Sequence, residues 1–339
     1  MTAERITELI KVLFTAKGLG DVISPITPVA GGFLHRMYRV DTAKRSFAVK
    51  HLNPEIMKRP EARENYKRAE SLEKKIEDAG ISIVPAISID GKKMQEYQGE
   101  FFYIFNWQNG KVTDWNHISA DQCRQAGAIQ GRIHAIESKK VENADPELLC
   151  IDWNDFVSKA KMQNEEITKM LLENKELLTY AQNVLNDARR KLPGILTITD
   201  EDMDPKNVMW EEGKPVVIDL ECLSYGNPIS SALQLSLQWA GITTGNLEYD
   251  KIGSFFEGYL ETYDNGFRDY PSVFGLAYTW LEWLEYNLNR ALGQCQDERE
   301  QKMGMDEVRN TIARIRYLYD REERIKRRFD TIKGIENQH

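Results

Sequence analysis

Cysteine is scarce in this 339-residue chain, and the four present, Cys123, Cys150, Cys222 and Cys295, stand far apart. No Cys-x-x-Cys pair and no matching histidine cluster offers zinc-site spacing, and so scattered a set fits the reduced thiols of a cytosol. Basic residues are outnumbered, 45 against 53 acidic ones, which gives a net charge of -8 and a pI near 5.4. Phosphate backbones are bound through an excess of lysine and arginine, so a nucleic-acid partner is not expected. The short basic run from Arg324 to Arg328 reads as a solvated helix face. No apolar run is long enough to span a bilayer, and Met1-Thr2-Ala3-Glu4-Arg5 lacks the apolar core of a signal peptide. A cytoplasmic protein without a membrane partner is therefore expected. No internal repeat or low-complexity segment occurs. What the chain does have is 41% apolar and 10% aromatic residues, enough to bury a large core and to form two lobes.

The most informative stretch runs from Leu196 to Pro228. Gly194-Ile195-Leu196-Thr197-Ile198-Thr199 is a short apolar, β-branched run after a Pro193-Gly194 break, the pattern of a buried strand. Asp200 to Asn207 is too polar, and too interrupted by Pro205, to continue it, so this is a loop. Val208-Met209-Trp210 resumes an extended pattern, Glu211 to Lys214 turns it, and Pro215 to Ile218 returns antiparallel toward Asp219. Such a hairpin sets Asn207 beside Asp219. Magnesium is held by one or two protein oxygens together with phosphate and water, and one carboxylate plus one amide carbonyl suits it. Asp202 sits five residues before Asn207, where its carboxylate could accept a proton from an attacking hydroxyl. Taken alone, an aspartate-rich loop in an acidic protein is more often a solvated turn.

Upstream, Phe47-Ala48-Val49-Lys50 reads as a strand whose alternation puts Ala48 and Lys50 on one face. An inward lysine needs an anionic partner, because an unpaired buried ammonium is costly. Gly31 and Gly32 allow close backbone approach to a phosphate, although a Gly-Gly pair between strands is by itself usually a turn. Arg59 to Ala79 is helical, with Tyr66, Ala69, Leu72, Ile76 and Ala79 forming a stripe. Ile83–Ile89, Lys93–Tyr97 and Phe101–Phe105 read as three antiparallel strands, and periodicity is lost from Asn106 to Gly110.

Together these segments resemble the aminoglycoside phosphotransferase and choline kinase-like family, which shares the protein kinase fold. Asp202-x-x-x-x-Asn207 followed by Asp219-Leu220-Glu221 is similar to its catalytic loop and metal segment. Ala30-Gly31-Gly32-Phe33 with Tyr38-Arg39-Val40 resembles its nucleotide loop, Ala48-Val49-Lys50 its lysine strand, and Gly80 to Pro85 the segment leaving its N-lobe helix. Gly131-Arg132-Ile133-His134-Ala135 resembles a common C-lobe helix motif. The likeness covers roughly two thirds of the chain and ends near Pro228.

The resemblance implies an α+β, protein kinase-like two-lobed fold. Residues 1–106 would form a small antiparallel sheet with one helix, and residues 107–339 a mainly helical lobe carrying the catalytic loop, with a hinge at about 105–111. It also implies an enzyme that moves the γ-phosphoryl group of ATP or GTP to a hydroxyl of a small molecule. Gly31, Gly32 and Lys50 would hold the nucleotide phosphates, Glu70 or Glu73 would steady Lys50, and the hinge at Phe105 and Trp107 would hold the purine. Asn207 and Asp219 would hold Mg2+, and Asp202 would orient and deprotonate the acceptor. Family members act on aminoglycosides, choline, homoserine, methylthioribose and sugar-amine adducts. An acidic pocket favours an amine-bearing alcohol, and Asp200, Asp204, Glu221, Glu282 and Glu285 are the candidate acceptor residues.

One departure stands out. Asp200 occupies the place of the family's histidine, two residues before Asp202, and two carboxylates that close raise the proton affinity of one of them unless a cation sits between. That keeps open a catalytically impaired nucleotide-binding scaffold acting through protein contacts. A protein kinase fits less well, since Asp219 to Pro228 leaves little room for an activation loop. Beyond Ser119 helices dominate: Ser119-x-x-Gln122 is a capping box for a helix to Ile136, and helical patterns follow over 154–190, 230–240, 247–264, 271–292 and 305–332. Along 271–292, Tyr278, Glu282, Glu285 and Asn289 share a face that would line a pocket or simply meet solvent. Trp280 and Trp283 read as core, and so does His134.

Overall fold

The computed structural model describes residues 3–29, 35–142, 146–295 and 297–332. Ala30, Gly31, Gly32 and Phe33, expected to form the nucleotide loop, lie outside the described residues. The chain divides into two compact units, residues 1–113 with 202–224, and residues 114–201 with 225–339. A linear division at 106/107 does not carry this arrangement, because the Asp202 loop and its hairpin belong with the first unit.

The first unit opens with α1 (Ala3–Ala16), whose Ile6, Leu9, Ile10, Leu13 and Phe14 recur at three and four and are buried. It was not foreseen from the sequence. Its apolar face covers one side of an antiparallel sheet whose first strands are β1 (Thr27–Val29), β2 (Arg36–Asp41) and β3 (Ser46–His51). Tyr38, Val40, Phe47 and Val49 join that helix in one core, and Phe14 meets Phe47 edge to face at 5.2 Å. Then come α2 (Pro54–Met57), capped by Asn53, and α3 (Ala62–Asp78), which buries Tyr66, Ala69, Leu72, Glu73 and Ile76. β4 (Gln95–Tyr97) and β5 (Glu100–Asn106) complete a sheet of order β1-β2-β3-β5-β4.

The strand expected over Ile83–Ile89 does not form. Pro85 interrupts the segment, which makes isolated bridges instead, Ile83 with Val217, Ala86 with Phe105 and Ile89 with Lys92. Residues 107–110 lead to β6 (Lys111–Val112), which ends the unit's first stretch.

The second unit begins with α4 (Ala120–Ile136), closed at its start by the Ser119/Gln122 capping box, and β7 (Ser138–Lys140). α5 (Trp153–Gln163), α6 (Glu165–Lys191) and β8 (Ile195–Thr199) follow, with β8 antiparallel to β7. The chain then rejoins the first unit for β9 (Val208–Glu211) and β10 (Lys214–Val217), an antiparallel hairpin that β6 extends to three strands. Glu212 and Gly213, both at positive φ, make its turn.

Back in the second unit come α7 (Pro228–Trp239) and α8 (Tyr249–Thr262). α8 packs against α4 at backbone distance: a Cβ on Gly127 would lie 1.9 Å from the carbonyl oxygen of Phe255, and one on Gly258 would lie 1.9 Å from that of Arg124. The helix expected from Pro271 to Leu292 is two pieces, a 3-10 run (Tyr270–Thr279), itself kinked at Val273 (φ -110°, ψ 17°), and α9 (Trp280–Ala291). α10 (Glu298–Asp330) starts seven residues earlier than the expected Met305 because Asp297 caps it. Among the described residues, no helix is long and apolar enough to cross a membrane.

Candidate active site

β3 delivers Lys50 by register. With Phe47 and Val49 committed to the α1 core, Ala48 and Lys50 face the other side of the sheet, Lys50 between Met37 on β2 and Tyr103 on β5. The Lys50 side chain is 6% exposed, and its Nζ donates to Asp219 Oδ1 at 2.5 Å and to Glu221 Oε2 at 2.6 Å. The anionic partners that an inward lysine requires are thus both supplied by the segment after β10.

Asp219 is set there by the hairpin. Val208 pairs with Val217, and the Ile218 N–H donates to the Asn207 carbonyl at 2.9 Å, so Asn207 lies across from Ile218 and one residue from Asp219. Asp219 itself adopts left-handed backbone (φ 62°, ψ 58°), uncommon for a residue with a Cβ and a form of strain found at ligand-holding positions. A 3-10 turn (Leu220–Cys222) then swings Glu221 back to the same lysine.

Glu221 also meets His35 Nε2 at 3.2 Å through Oε1. The Asn53 N–H donates to His35 Nδ1 at 2.9 Å, which puts the proton of a neutral His35 on Nε2, aimed at Glu221 and at the Tyr66 hydroxyl 3.2 Å away.

Charge follows from this geometry. Burial works against the Lys50 ammonium, but the Asp219 and Glu221 charges outweigh it and raise its pKa. Burial also pushes both acids upward; for Glu221 the Lys50 and His35 contacts win and hold the carboxyl below its usual range, whereas Asp219 stays raised, with Glu221 adding to the effect of burial. One ammonium between two carboxylates leaves negative charge to be offset, and Asp219 is the carboxylate with the larger exposed fraction, 32% against 20% for Glu221. A hard cation taking one Asp219 oxygen and the Asn207 side-chain carbonyl suits that donor chemistry.

The Asp202 loop is held as tightly. Asn207 Nδ2 donates to Asp202 Oδ2 and to the Asp202 carbonyl, both at 2.8 Å, which commits the amide nitrogen and leaves Oδ1 as the atom able to ligate. Lys206 Nζ donates to Asp202 Oδ1 at 2.7 Å and to Asp204 Oδ2 at 2.8 Å, while the Lys206 N–H bonds Asp204 Oδ1 at 3.0 Å at the start of a 3-10 turn (Pro205–Asn207). Burial, with the Asp202 charge adding to it, raises the Asp204 carboxyl to about 6 against the pull of Lys206.

Several expected roles meet different contacts. Neither Glu70 nor Glu73 bonds Lys50: Glu73 is taken by Lys93 and the Ala86 N–H, and Glu70 accepts from the Tyr103 hydroxyl at 2.7 Å. Both nevertheless line, with Lys50, Phe105, Asp219 and Glu221, a cavity of about 20 Å³, room for roughly one water. Glu221, considered for the acceptor, is a Lys50 partner, and Asp204 is buried against Lys206. Trp107 N–H donates to the Ser46 carbonyl at 3.1 Å, and the Arg39 guanidinium lies 4.5 Å from its ring centre.

In the second unit Asp200 is buried just after β8. Glu282 pairs with Arg189, and burial raises the Glu285 carboxyl, helped by the Glu282 charge. Tyr278 does not line a pocket face: it is fully buried and donates to Glu322. Trp280 and Trp283 are half-buried, Trp280 under the Arg314 guanidinium at 3.9 Å and Trp283 donating to Glu307 at 2.9 Å. His134 is a core residue, bonded to the Tyr259 hydroxyl at 2.9 Å.

His35 and Lys206 escaped the sequence reading. His35 lies one residue before a strand with no motif around it. Lys206 carried a usable signal, a lysine inside a loop with aspartates two and four residues before it.

The family model described as "Phosphotransferase enzyme family" matches residues 25–273. Among curated proteins, none matches the sequence. Among solved structures, spectinomycin phosphotransferase in complex with ADP and spectinomycin is 13% identical, with 99% of each chain covered and a TM-score of 0.63. Amicoumacin kinase in complex with AMP-PNP and Ca2+ is 14% identical, with 92% of this chain and 96% of that one covered and a TM-score of 0.56. The ethanolamine kinase of Plasmodium vivax is 14% identical, with coverages of 91% and 89% and a TM-score of 0.54. At such identities the likeness is one of fold.

Proposed function

The chain belongs to the phosphotransferase enzyme family, and from that premise we propose that it is a small-molecule kinase, moving the γ-phosphoryl group of ATP or GTP to a hydroxyl of a small, amine-bearing acceptor. Its fold is the protein kinase-like one. The observation that carries the proposal is the convergence on Lys50: a buried ammonium within 2.6 Å of both Asp219 and Glu221, in the same unit as the Asp202–Asn207 loop. A protein free of catalytic duty has no need to keep Lys50, Asp202, Asn207 and Asp219 together.

In this reading the first unit binds the nucleotide and carries the catalytic loop. Lys50 binds phosphate oxygens, exchanging part of its hold on Asp219 and Glu221 for them. Asn207 and Asp219 would hold Mg2+, which when bound offsets phosphate charge. Asp202 orients the acceptor hydroxyl. As that oxygen bonds to the γ-phosphorus, the bond to the β,γ-bridging oxygen breaks, the nucleoside diphosphate leaves and the hydroxyl proton passes to the Asp202 carboxylate. Positioning and charge neutralisation supply most of the rate. Phe105 and Trp107 would hold the purine, and Glu282, Glu285 and Asp200 are the acidic groups through which an amine would be favoured.

The amine-bearing class is supported by the acidic balance of the chain and by the nature of proteins with the same fold, spectinomycin and ethanolamine kinases among them. The test is a thermal-shift screen with magnesium and ATP or GTP, followed by turnover with spectinomycin, ethanolamine and aminopropanol. A nucleotide present at 100 times its Kd stabilises by about 2.7 kcal/mol, a readily measured shift. Acceptor-dependent product in the wild type and its loss in Asp202→Asn is the expected result; acceptor-independent nucleotide loss at equal rates in both would defeat the proposal.

A further inference from the structure

We propose that Lys206 is a positioning residue for phosphoryl transfer, clamping the Asp202 carboxylate in the orientation that receives the acceptor hydroxyl. The inference rests on the kinase reading of the Asp202 loop and adds to it a residue outside the Asp-x-x-x-x-Asn pattern.

An aspartate turns about its terminal bond with little restraint, so a carboxylate that must aim a hydroxyl within a few tenths of an ångström needs both oxygens fixed. Here each is. Oδ2 is held by Asn207 Nδ2 at 2.8 Å and Oδ1 by Lys206 Nζ at 2.7 Å.

The lysine is itself braced. Its ammonium bonds Asp204 Oδ2 at 2.8 Å, and Asp204, 6% exposed, receives the Lys206 backbone N–H through its other oxygen. Pro205 opens the 3-10 turn between them, so backbone and side chain of Lys206 are tied to the same buried carboxylate. A flexible four-carbon chain becomes a fixed strut from Asp204 to Asp202. It also places a cation between two aspartates, where like charges would otherwise repel the Asp202 side chain out of position.

A clamp that acts only through Asp202 has a distinctive kinetic signature. It should change the rate of transfer and not the binding of nucleotide, and its loss should cost nothing once Asp202 is already disabled. Water serves as the acceptor in the test, so no identified small molecule is needed: release of inorganic phosphate from magnesium-ATP is followed in the wild type, Lys206→Met, Lys206→Arg, Asp202→Asn and the Asp202→Asn/Lys206→Met pair.

Lys206→Met is expected to lower kcat about 10- to 100-fold, the worth of one hydrogen bond to a charged group, with KM for ATP changed less than about twofold. Lys206→Arg should recover part of the rate, and the double variant should match Asp202→Asn. Thermal unfolding is measured in parallel, and Lys206→Gln replaces Lys206→Met if the latter melts early. Unchanged kcat, a rise in KM equal to the whole effect, or a double variant slower than Asp202→Asn by the full single-variant factor would each overturn the clamp. Wild-type turnover no faster than that of Asp202→Asn would instead strike the kinase reading, a distinguishable failure.

Discussion

Replacing Lys50 by methionine keeps the unbranched apolar stem of the side chain and removes its charged end, which isolates what the ammonium does for the folded protein. The structure shows two hydrogen bonds from Nζ to carboxylates, at 2.5 and 2.6 Å, with the lysine side chain 6% exposed. Each hydrogen bond to a charged group contributes about 1.5–3 kcal/mol. Asp219 and Glu221 keep 32% and 20% of their side-chain exposure, so water takes over part of the lost solvation and the sum must be discounted. A net destabilisation of about 2–4 kcal/mol follows, or roughly 3–6 °C in Tm for a protein of this size.

The pH dependence has a definite sign. Without the ammonium, Asp219 and Glu221 face each other unneutralised and both carboxyl pKa values rise. Their protonation at lower pH then relieves the repulsion, so the deficit should be larger at pH 8 than at pH 5. Circular-dichroism melts of wild type and Lys50→Met at both pH values measure this. A Tm within about 1 °C of wild type at pH 8, or a deficit that grows on acidification, would refute the ion-pair reasoning.

Three further outcomes are expected. Asp202→Asn should lower kcat for acceptor phosphorylation by about 10²- to 10⁴-fold with Tm lowered by only a few degrees, since it removes proton acceptance, keeps the shape and gives up one of the two hydrogen bonds the carboxylate accepts from Lys206 and Asn207; the check is steady-state kinetics beside a melt. Gly258→Ala should destabilise by about 3 kcal/mol or more, because its Cβ would meet the Arg124 carbonyl oxygen at 1.9 Å and backbone cannot give way, whereas Glu257→Ala on the exposed side of α8 should stay within about 0.5 kcal/mol in denaturant titrations. His134 is buried with its pKa pushed down by burial to about 3, so the unfolded chain, at about 6.5, takes up a proton first as pH falls. Stability from this group is intact above pH 6.5 and is lost progressively toward pH 3, by up to about 4–5 kcal/mol, and His134→Leu should flatten that slope in urea titrations.

What could be read from the sequence was what depends on short-range periodicity. Alternation in Phe47-Ala48-Val49-Lys50 located the inward lysine, and the Glu211 to Lys214 turn located the hairpin that brings Asn207 toward Asp219. The Ser119/Gln122 box fixed the start of α4. What escaped depends on partners distant in the chain. Glu73 lies on the buried stripe of α3 as expected, yet Lys93, twenty residues away, takes its carboxylate, and no local pattern encodes that choice. Glu221 and Lys50 are 171 residues apart, so their pairing is invisible to any window. Pro85 broke an apolar segment whose composition still read as strand, and residues 270–279 took 3-10 geometry, kinked at Val273, where the helical periodicity ran on unbroken into α9. Tyr278 shares a helical face with Glu282 by spacing, but the 3-10 run turns it inward to Glu322.

Under the kinase proposal, Lys50 and Asp219 share one polyphosphate and its metal. The most direct measurement is isothermal titration of magnesium-ATP into wild type, Lys50→Met, Asp219→Asn and the double variant. Each single change should weaken binding at least tenfold, about 1.4 kcal/mol, and the double variant should lose clearly less than the sum, because the two groups act on one ligand. Wild-type affinity in both single variants, or losses that add in full, would contradict it.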